Sequence, residues 1–225
     1  GVHRDRDELE RWECGQDTVA IVLRNSAEYL ESLLGCLRAR TVPFNVNHHY
    51  QPAEIAALFD MVGPAAVVVH RSLGPLVAAA VDPTSLVGLD VDDGSGVAPL
   101  PGSTPFEAAV ATPAAGPPGP SPAGPSMAWT GGATGGPKAL PWRQGGAFVA
   151  AMGGSELTPA ESLAEAARAG GARWFPAAPL MHAAAQWTAF SGLHGGATIV
   201  LHDERRSLDA RTLLELAERE HVTLV

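Results

Sequence analysis

Residues 129–138 read Trp-Thr-Gly-Gly-Ala-Thr-Gly-Gly-Pro-Lys, and this stretch decides how the rest of the sequence is interpreted. Its four glycines let backbone N–H groups approach an anion closely, and its two threonine hydroxyls add hydrogen-bond donors. It ends on Lys138, the only lysine in the chain, whose mobile positive charge suits phosphate oxygens. The apolar residues 126–129 that lead into the glycines are typical of a short strand. The sequence therefore predicts a polyphosphate-binding loop at the end of a strand.

Two familiar phosphate-binding motifs do not fit this loop. A Walker loop ends in Gly-Lys-Ser/Thr, whereas here Pro137 precedes Lys138 and Ala139 replaces the hydroxyl residue that would bind magnesium. A dinucleotide-binding Gly-x-Gly-x-x-Gly turn is also absent from this sequence, because the glycines fall at 131, 132, 135 and 136. A flexible Gly/Ala linker is the other interpretation. The order of the aromatic residue, the threonines and the Pro-Lys pair favours the phosphate loop.

Composition limits the classes of function. The chain has 225 residues, of which 46% are hydrophobic and 17% charged, enough to bury a core. Its formal net charge of −9 argues against a nucleic-acid partner, because such binding depends on clustered Lys and Arg. No apolar run approaches the ~18 residues of a membrane span, and the N-terminus lacks a signal-peptide pattern. Cys14 and Cys36 form no Cys-x-x-Cys pair, and Cys36 is expected to be a buried thiol. We therefore expect a cytoplasmic location.

Strand-like and helix-like segments alternate in the first half. Continuous apolar runs predict buried parallel strands, and the segments between them have helical spacing. The predicted strands are 18–23, 42–46, 65–70 and 85–89. The predicted helices are one that Asn25-Ser26 can cap, one that begins at Pro52, and one at 73–80. This alternation predicts an α/β fold with a parallel-rich sheet layered with helices.

The second half is less regular. Residues 91–125, rich in Pro, Gly and Ser, are expected to form a flexible loop with one short helix near 106–110. Beyond the glycine loop we expect helices at 144–152 and 158–168 and strands at 197–201 and 221–225. A further helix capped by Asp209 should run to residue 220, with Leu213, Leu214 and Ala217 on its inner face.

The glycine loop resembles that of the adenylate-forming, AMP-binding superfamily, which includes acyl-CoA synthetases, luciferases and peptide-synthetase adenylation domains. The superfamily loop runs aromatic-Thr-Ser/Gly-Gly-Ser/Thr-Thr-Gly-x-Pro-Lys-Gly. Three other segments are similar to superfamily segments: residues 42–47, Pro179-Leu180-Met181-His182, and residues 195–201. The resemblance covers residues 18–225 and is nearest to fatty-acyl or steroid-acyl CoA ligases, in which an insert occupies the place of 153–175.

The resemblance implies an AMP-forming acyl-CoA ligase that activates a fatty or other apolar carboxylic acid. Its cosubstrates would be ATP, with Mg²⁺, and CoA. A carboxylate attacks the α-phosphate to give an acyl adenylate, and the CoA thiol then displaces AMP. The residues that would hold the β- and γ-phosphates are Thr130, Gly131, Gly132, Thr134, Gly135 and Lys138. His182 would lie near the adenylate, and Trp187 and Phe190 would line an acyl tunnel.

Some of these roles have simpler alternatives. His182 would otherwise cap a helix or lie in the core, and Trp187 and Phe190, three positions apart, would otherwise be ordinary core residues. We predict no metal site at His48-His49, because neighbours on an extended segment point to opposite faces. Likewise, Asp90, Asp92 and Asp93 are expected to be solvated loop charges.

Other features bear on how much of a ligase the chain contains. Ala133 and Ala139 stand where the superfamily has a hydroxyl residue and glycine, which leaves open a degenerate, non-catalytic nucleotide- or acyl-binding homologue. Activation of an amino acid is the other alternative. The superfamily's Tyr-Gly-x-Thr-Glu segment, whose glutamate helps to hold magnesium, its Thr-Gly-Asp segment and its C-terminal domain are not found. Residues 1–225 are therefore expected to form part of the large N-terminal AMP-binding domain of the acyl-CoA synthetase fold. The remainder of the ligase would be its partner, with a homodimer left open.

Overall fold

The computed structural model describes residues 16–113, 126–131, 138–143, 159–205 and 208–225, and for 126–131, 138–143 and 159 it describes the backbone alone. The chain separates into two compact units. The first unit contains residues 1–23 and 30–143, and the second contains residues 24–29 and 144–225.

A mixed sheet organises the first unit, with the strand order β5-β4-β3-β1-β2-β6-β7. The strands are β1 (Thr18–Val22), β2 (Val42–Asn45), β3 (Ala66–His70), β4 (Val87–Val91), β5 (Thr104–Pro105), β6 (Ser126–Gly131) and β7 (Lys138–Arg143). Neighbouring strands from β5 to β6 pair in parallel, and the β6–β7 pair is antiparallel. The prediction of a parallel-rich α/β sheet is confirmed.

Helices connect these parallel strands, as a crossover connection requires. They are α1 (Ala27–Ala39), α2 (Pro52–Val62), α3 (Gly74–Ala80) and α4 (Phe106–Ala111). The predicted start of α2 is confirmed, since Pro52 occupies its first turn and the Gln51 N–H donates to Glu54 Oε2 at 2.8 Å. The helix ends at Gly63, which has a left-handed φ of 66°.

The core of the first unit lies where the apolar runs predicted it. Three members come from β1 and β2, namely Ala20, Val22 and Phe44, and they pack with Ile55 and Leu58 of α2. All five are fully buried. The Phe44 and Phe59 rings meet edge to face with centroids 6.0 Å apart, a favoured aromatic geometry.

The stretch expected to be a flexible loop contains more regular structure than its composition indicated. Within residues 91–113, helix α4 confirms the short helix predicted near 106–110, strand β5 is additional, and Leu100 and Phe106 are only 3% and 6% exposed. Strand β5 was not predicted, because a two-residue strand leaves no periodic pattern. Residues 114–125 lie outside the described residues, and the flexibility of the loop stays a prediction.

The second unit contains three described helices and a small parallel sheet. Its elements are α5 (Pro159–Ala169), β8 (Arg173–Trp174), α6 (Ala183–His194), β9 (Thr198–Ile199) and α7 (Ala210–Arg219). The predicted strand at 197–201 is shorter than expected, and the predicted strand at 221–225 is a single bridge between Trp174 and Leu224. The expected helix at 144–152 lies outside the described residues. The bounds 153–175 of the insert stay a prediction.

Helix α7 begins as the sequence predicted, but its inner face differs. Asp209 Oδ1 accepts a hydrogen bond from the Thr212 N–H at 2.8 Å and caps the helix. Leu216 is buried against Phe175 and Val200, with Leu213 packed beside it. Leu214, expected on the inner face, is 66% exposed. Positions 213 and 216 lie three apart on one helical face, and position 214 is turned away from it.

No helix in the described ranges combines the length and the apolar character needed to cross a bilayer.

Candidate functional site

The two ends of the glycine-rich stretch lie on an antiparallel pair of strands in the first unit. Strand β6 ends at Gly131 and strand β7 begins at Lys138, and these two residues are paired in register. Thr130 pairs with Ala139 one step further along the ladder. The two ends of the predicted phosphate loop are therefore held opposite each other. Gly132, Thr134 and Gly135 lie outside the described residues.

Strand β7 was not predicted, since the sequence indicated a loop ending at Lys138 and then a helix. Its six residues form the edge of the sheet, beyond β6. Pro141 is compatible with this position, because an edge strand has one side on which no ladder hydrogen bond is needed. The consequence for the site is that Lys138 is the first residue of a strand.

His182 begins helix α6 in the second unit. It occupies the N-cap position, its N–H donates to the Pro179 carbonyl at 2.9 Å, and its carbonyl accepts from the Gln186 N–H at 3.3 Å. Its side chain makes no capping hydrogen bond and is exposed. A buried core histidine is therefore the wrong interpretation. The imidazole is accessible at the start of the helix, and a side chain must be accessible to contact a ligand.

The two aromatic residues proposed for the acyl tunnel differ in burial. Phe190 is 1% exposed, and Trp187 is half-buried one helical turn earlier. Phe190 therefore has the burial of a core residue, whereas Trp187 keeps part of its surface accessible. Their roles in a substrate pocket stay predictions.

The segment before His182 is held by two polar side chains that the sequence did not identify as functional. Asn25 Oδ1 accepts a hydrogen bond from the Leu180 N–H at 2.6 Å. The Gln186 side-chain amide donates from Nε2 to the Leu180 carbonyl, also at 2.6 Å. Leu180 itself is fully buried. We refer to Asn25, Leu180 and Gln186 as the Leu180 clamp.

Asn25 was expected to share the capping of helix α1 with Ser26. The structure gives the capping contact to Ser26, whose Oγ accepts from the Tyr29 N–H at 3.3 Å. Asn25 lies one residue earlier, and its side chain reaches Leu180, 155 positions away in sequence. The sequence does contain a feature that points to Gln186, because this residue is the lone amide within the apolar run 183–190. A polar side chain there indicates a buried hydrogen-bonding role.

Two further groups surround the clamp. The Tyr29 phenol is fully buried, and its pKa is raised by that burial and further by the charge of Glu204, while a hydrogen bond with the Gln186 side chain opposes the rise. Glu204 Oε2 accepts from the Asn25 N–H at 2.7 Å. Both the backbone and the side chain of Asn25 are thus fixed by hydrogen bonds.

The residues considered for a metal are arranged differently from expectation. His48 and His49 lie in a turn, and their ring centroids are 4.3 Å apart, so the prediction of opposite faces was wrong. Asp90 is 1% exposed and not a solvated loop charge; Arg71 Nε lies 2.6 Å from its Oδ1. Within the described part of the chain, no group of three or more His, Cys, Asp or Glu is placed to hold a metal ion.

Comparison with protein families identifies the relationship. The model of the family described as "AMP-binding enzyme" matches residues 14–225. The chain belongs to this family. The AMP-binding enzyme match includes the β6–β7 pair, the Leu180 clamp and His182.

Two curated AMP-binding relatives are acyl-CoA ligases. The chain is 34% identical over 236 residues to "Medium-chain acyl-CoA ligase Mig" of Mycobacterium avium, an alignment that covers 100% of the chain and 43% of that protein. It is 30% identical over 200 residues to "3-oxocholest-4-en-26-oate--CoA ligase" of Rhodococcus rhodochrous, covering 84% of the chain and 36% of that protein. The chain therefore spans less than half the length of these relatives.

The fold is similar to that of solved acyl-CoA synthetase domains. The inhibitor-bound N-terminal domain of FACL13 from Mycobacterium tuberculosis superposes with a TM-score of 0.65 at 19% identity, covering 92% of this chain and 48% of that one. The solved structure of a Mycobacterium tuberculosis fatty acyl CoA synthetase superposes with a TM-score of 0.64 at 18% identity, covering 92% of this chain and 38% of that one. These similarities support the parallel-rich α/β fold as that of the acyl-CoA synthetase N-terminal domain.

Proposed function

We propose that this chain is the part of an AMP-forming acyl-CoA ligase that holds the ATP phosphates and binds an apolar carboxylic acid. The observation that carries the proposal is the register of the β6–β7 pair. Because Gly131 and Lys138 are paired, the glycine-rich connection starts and ends at one place, with the chain's only lysine at its base. Glycines next to a cation on a fixed strand are the features of a polyphosphate-binding loop, and a flexible linker would not need them.

The first step needs positioning and charge neutralisation more than covalent help from the protein. A carboxylate oxygen attacks the α-phosphorus of ATP, the bond to the bridging oxygen breaks, and pyrophosphate leaves with the electron pair. We propose that one set of residues binds the departing β- and γ-phosphates: Thr130, Gly131, Gly132, Thr134, Gly135 and Lys138. Backbone N–H groups of the glycines would donate to phosphate oxygens, and Lys138 would offset the charge that develops on pyrophosphate.

The second unit would serve the acyl side of the reaction. We place His182 next to the adenylate, because its side chain is exposed at the N-terminus of α6. Trp187, half-buried on the same helix, would supply apolar surface for the acyl chain, and the buried Phe190, one turn further on, would support the wall of the acyl tunnel from the core. In the second step the CoA thiolate sulfur attacks the acyl carbon, the bond from that carbon to the phosphate oxygen breaks, and AMP leaves with the electron pair.

The names of the relatives guide the choice of substrate. A medium-chain acyl-CoA ligase and a 3-oxocholest-4-en-26-oate–CoA ligase are both named for carboxylic acids that carry a large apolar body. We propose a medium- or long-chain fatty acid or a steroid side-chain acid as the substrate. A panel of octanoate, palmitate and 3-oxocholest-4-en-26-oate would separate these choices by kcat/KM.

Three further points belong to the proposal. ATP would enter as its Mg²⁺ complex, since Mg²⁺ in such sites is held by phosphates with one or two carboxylates and needs no protein cage. Exchange activity that survives removal of divalent cations by a chelator would contradict this point. A cytoplasmic location and a homodimer complete the proposal, and cell fractionation and sedimentation would test them.

Lys138 provides the direct test. In the complete open reading frame that contains this chain, Lys138→Ala should reduce acid-dependent ATP–pyrophosphate exchange by about 100-fold or more, since it removes a fixed charge at the leaving group. Lys138→Arg should retain part of the activity. Arg143→Ala is the matched control, because it removes a cation from the opposite end of the same strand, where Arg143 pairs with Ser126.

Two outcomes would contradict the proposal in different ways. Unchanged exchange in Lys138→Ala would remove the loop from its assigned role. No acid-dependent exchange in the unmodified protein, with any acid of the panel, would overturn the ligase itself.

A further inference from the structure

The segment Pro179–His182 presents an unusual combination of buried and exposed residues. Leu180 and Met181 are 0% and 7% exposed, whereas the His182 side chain that follows is exposed. The segment is not part of a helix or strand. Its position therefore depends on contacts other than a ladder or a helical repeat.

Those contacts are the Leu180 clamp. The N–H and the carbonyl of Leu180 are both used, the first by Asn25 Oδ1 and the second by Gln186 Nε2, each at 2.6 Å. Two hydrogen bonds on one residue restrain its translation and the orientation of both adjoining peptide planes. Gln186 is 0% exposed, so its bond is made in a site from which water is excluded.

The clamp is itself anchored. The Asn25 N–H donates to Glu204 at 2.7 Å, and the Gln186 side chain also hydrogen-bonds the buried Tyr29 phenol. The backbone N–H of Gln186 donates to the His182 carbonyl at 3.3 Å. The same residue thus fixes the carbonyl of Leu180, two positions before His182, and the carbonyl of His182.

We propose that Asn25 and Gln186 are positioning residues of the acyl-activating site, which act by holding the Leu180 backbone so that His182 is presented in a fixed place. This inference rests on the proposed function. It assigns to Asn25 and Gln186 no contact with substrate. Misplacement of a reacting or positioning group by about 1 Å can cost about 100-fold in rate, so a backbone clamp of this kind controls turnover.

The first measurement tests the clamp without using activity. Amide hydrogen exchange of residues 180–183 should become faster in Asn25→Leu and in Gln186→Met than in the unmodified protein. Exchange in helix α7, which is capped independently by Asp209, should stay the same. Unchanged protection of residues 180–183 in both variants would overturn the clamp.

The second measurement tests its effect on catalysis in the complete protein. Asn25→Leu and Gln186→Met should each lower kcat for acid-dependent pyrophosphate exchange by about 10- to 100-fold, with KM for ATP within about twofold. In a His182→Ala background the same substitutions should cause little further loss, because residues that act through one another are not additive. Equal losses in both backgrounds would overturn the positioning role.

Two control variants separate positioning from simple destabilisation. Thr188→Val lies on the same helix as Gln186 and removes a hydroxyl that bonds locally, to the Ala184 carbonyl at 3.0 Å. It should leave kcat unchanged. Leu216→Ala removes part of the core of the second unit and should lower the thermal unfolding midpoint. At temperatures where this variant is still folded, its kcat should be unchanged. If Leu216→Ala lowers kcat as much as Asn25→Leu does, stability explains both effects and the proposal fails.

The same experiment distinguishes this proposal from the proposed function. If the unmodified protein catalyses exchange but Asn25→Leu keeps full kcat, only the positioning role is wrong. If the unmodified protein catalyses no exchange, both the ligase and the catalytic part of this inference are overturned, even where hydrogen exchange shows the clamp intact.

Discussion

Asp90, taken as a single residue, shows how burial changes the meaning of a charge. Its side chain is 0% exposed, and it is paired with Arg71 at 2.6 Å and accepts from the Ser103 hydroxyl at 3.0 Å. Asp92, two residues later, contacts the same arginine but is 61% exposed. From sequence the two looked alike, since both follow an apolar strand. Only the position of Asp90 inside the sheet and the reach of Arg71 separate them.

Removal of Arg71 should therefore destabilise the first unit. In Arg71→Leu the Asp90 carboxylate stays buried without its cation, and we expect the thermal unfolding midpoint to fall by several degrees. Adding Asp90→Asn should recover part of that loss, since the uncompensated charge is then gone. Arg205→Leu breaks an exposed pair with Asp203 and should change the midpoint little. Equal shifts for Arg71→Leu and Arg205→Leu, measured by circular dichroism, would contradict this account.

Among the helices and strands, helix ends were predicted better than strand ends. Pro52 and Asp209 begin helices where the sequence indicated, because a cap is a local contact between residues three or four positions apart. Strand β4 begins at Val87, two residues later than predicted, because Pro83–Ser85 forms a 3-10 turn that Asp82 caps. Apolar composition does not show where pairing with a neighbour begins.

Two glycines at element ends give a matched test of backbone strain. Gly63, with φ of 66°, has open space where the Cβ of another residue would stand, so Gly63→Ala should cost only the left-handed penalty of about 1–2 kcal/mol. Gly196, with φ of 77°, leaves no such space, because a Cβ there would collide with the Ala166 carbonyl group. Gly196→Ala should therefore cost about 1–3 kcal/mol more.

A third glycine provides the control. Gly35 lies within helix α1 with open space for a methyl group, and Gly35→Ala should raise the free energy of unfolding by about 0.5–1 kcal/mol. Urea denaturation would measure all three variants. A Gly196→Ala protein as stable as Gly63→Ala would contradict the predicted clash.

For the molecule as a whole, the ionisable groups predict how stability depends on pH. Carboxylates with a lowered pKa include Asp82, through hydrogen bonds from Thr84, Asp209, through the Thr212 N–H, and Glu220, mainly through Arg219. Burial raises the pKa of the Cys36 thiol and of the Tyr29 and Tyr50 phenols. The two sets act at opposite ends of the pH scale.

The signs follow from linkage between protonation and folding. A lowered carboxylate pKa stabilises the fold above the unfolded value of about 4 and loses this contribution as the pH falls through the folded value. A raised thiol or phenol pKa contributes to the stability of the fold below the unfolded pKa values of about 8.5 and 10. This contribution is lost as the pH rises through the folded pKa. We therefore expect the urea midpoint to be highest between about pH 5 and pH 8 and to decline on both sides.

Two variants test which groups produce the decline. Asp209→Asn keeps a capping side chain that does not titrate, and it should make the acid limb shallower while changing stability at neutral pH little. Tyr50→Phe should likewise weaken the alkaline limb. A urea midpoint that keeps rising below pH 4 would show that the lowered carboxylate pKa values do not control acid stability.

Local sequence was enough to predict the alternation of strands and helices and the relationship to the AMP-binding enzyme family, whereas the role of residues 129–138 as a phosphate loop stays a prediction. Buried parallel strands require continuous apolar runs, helix starts require local caps, and a phosphate loop requires glycine, hydroxyl and lysine in order. All of these are properties of neighbouring residues, and each is visible in stretches such as 18–23 and 129–138.

Contacts between residues that are distant in sequence were determined only by the tertiary structure. Folding paired Gly131 with Lys138 across two strands, brought Asn25 to Leu180 over 155 positions, and buried Asp90 beside Arg71. Such contacts depend on the path of the whole backbone, because a side chain's hydrogen-bond partner is set by which elements pack together. Local composition provides the donors and acceptors, and only packing determines their pairing.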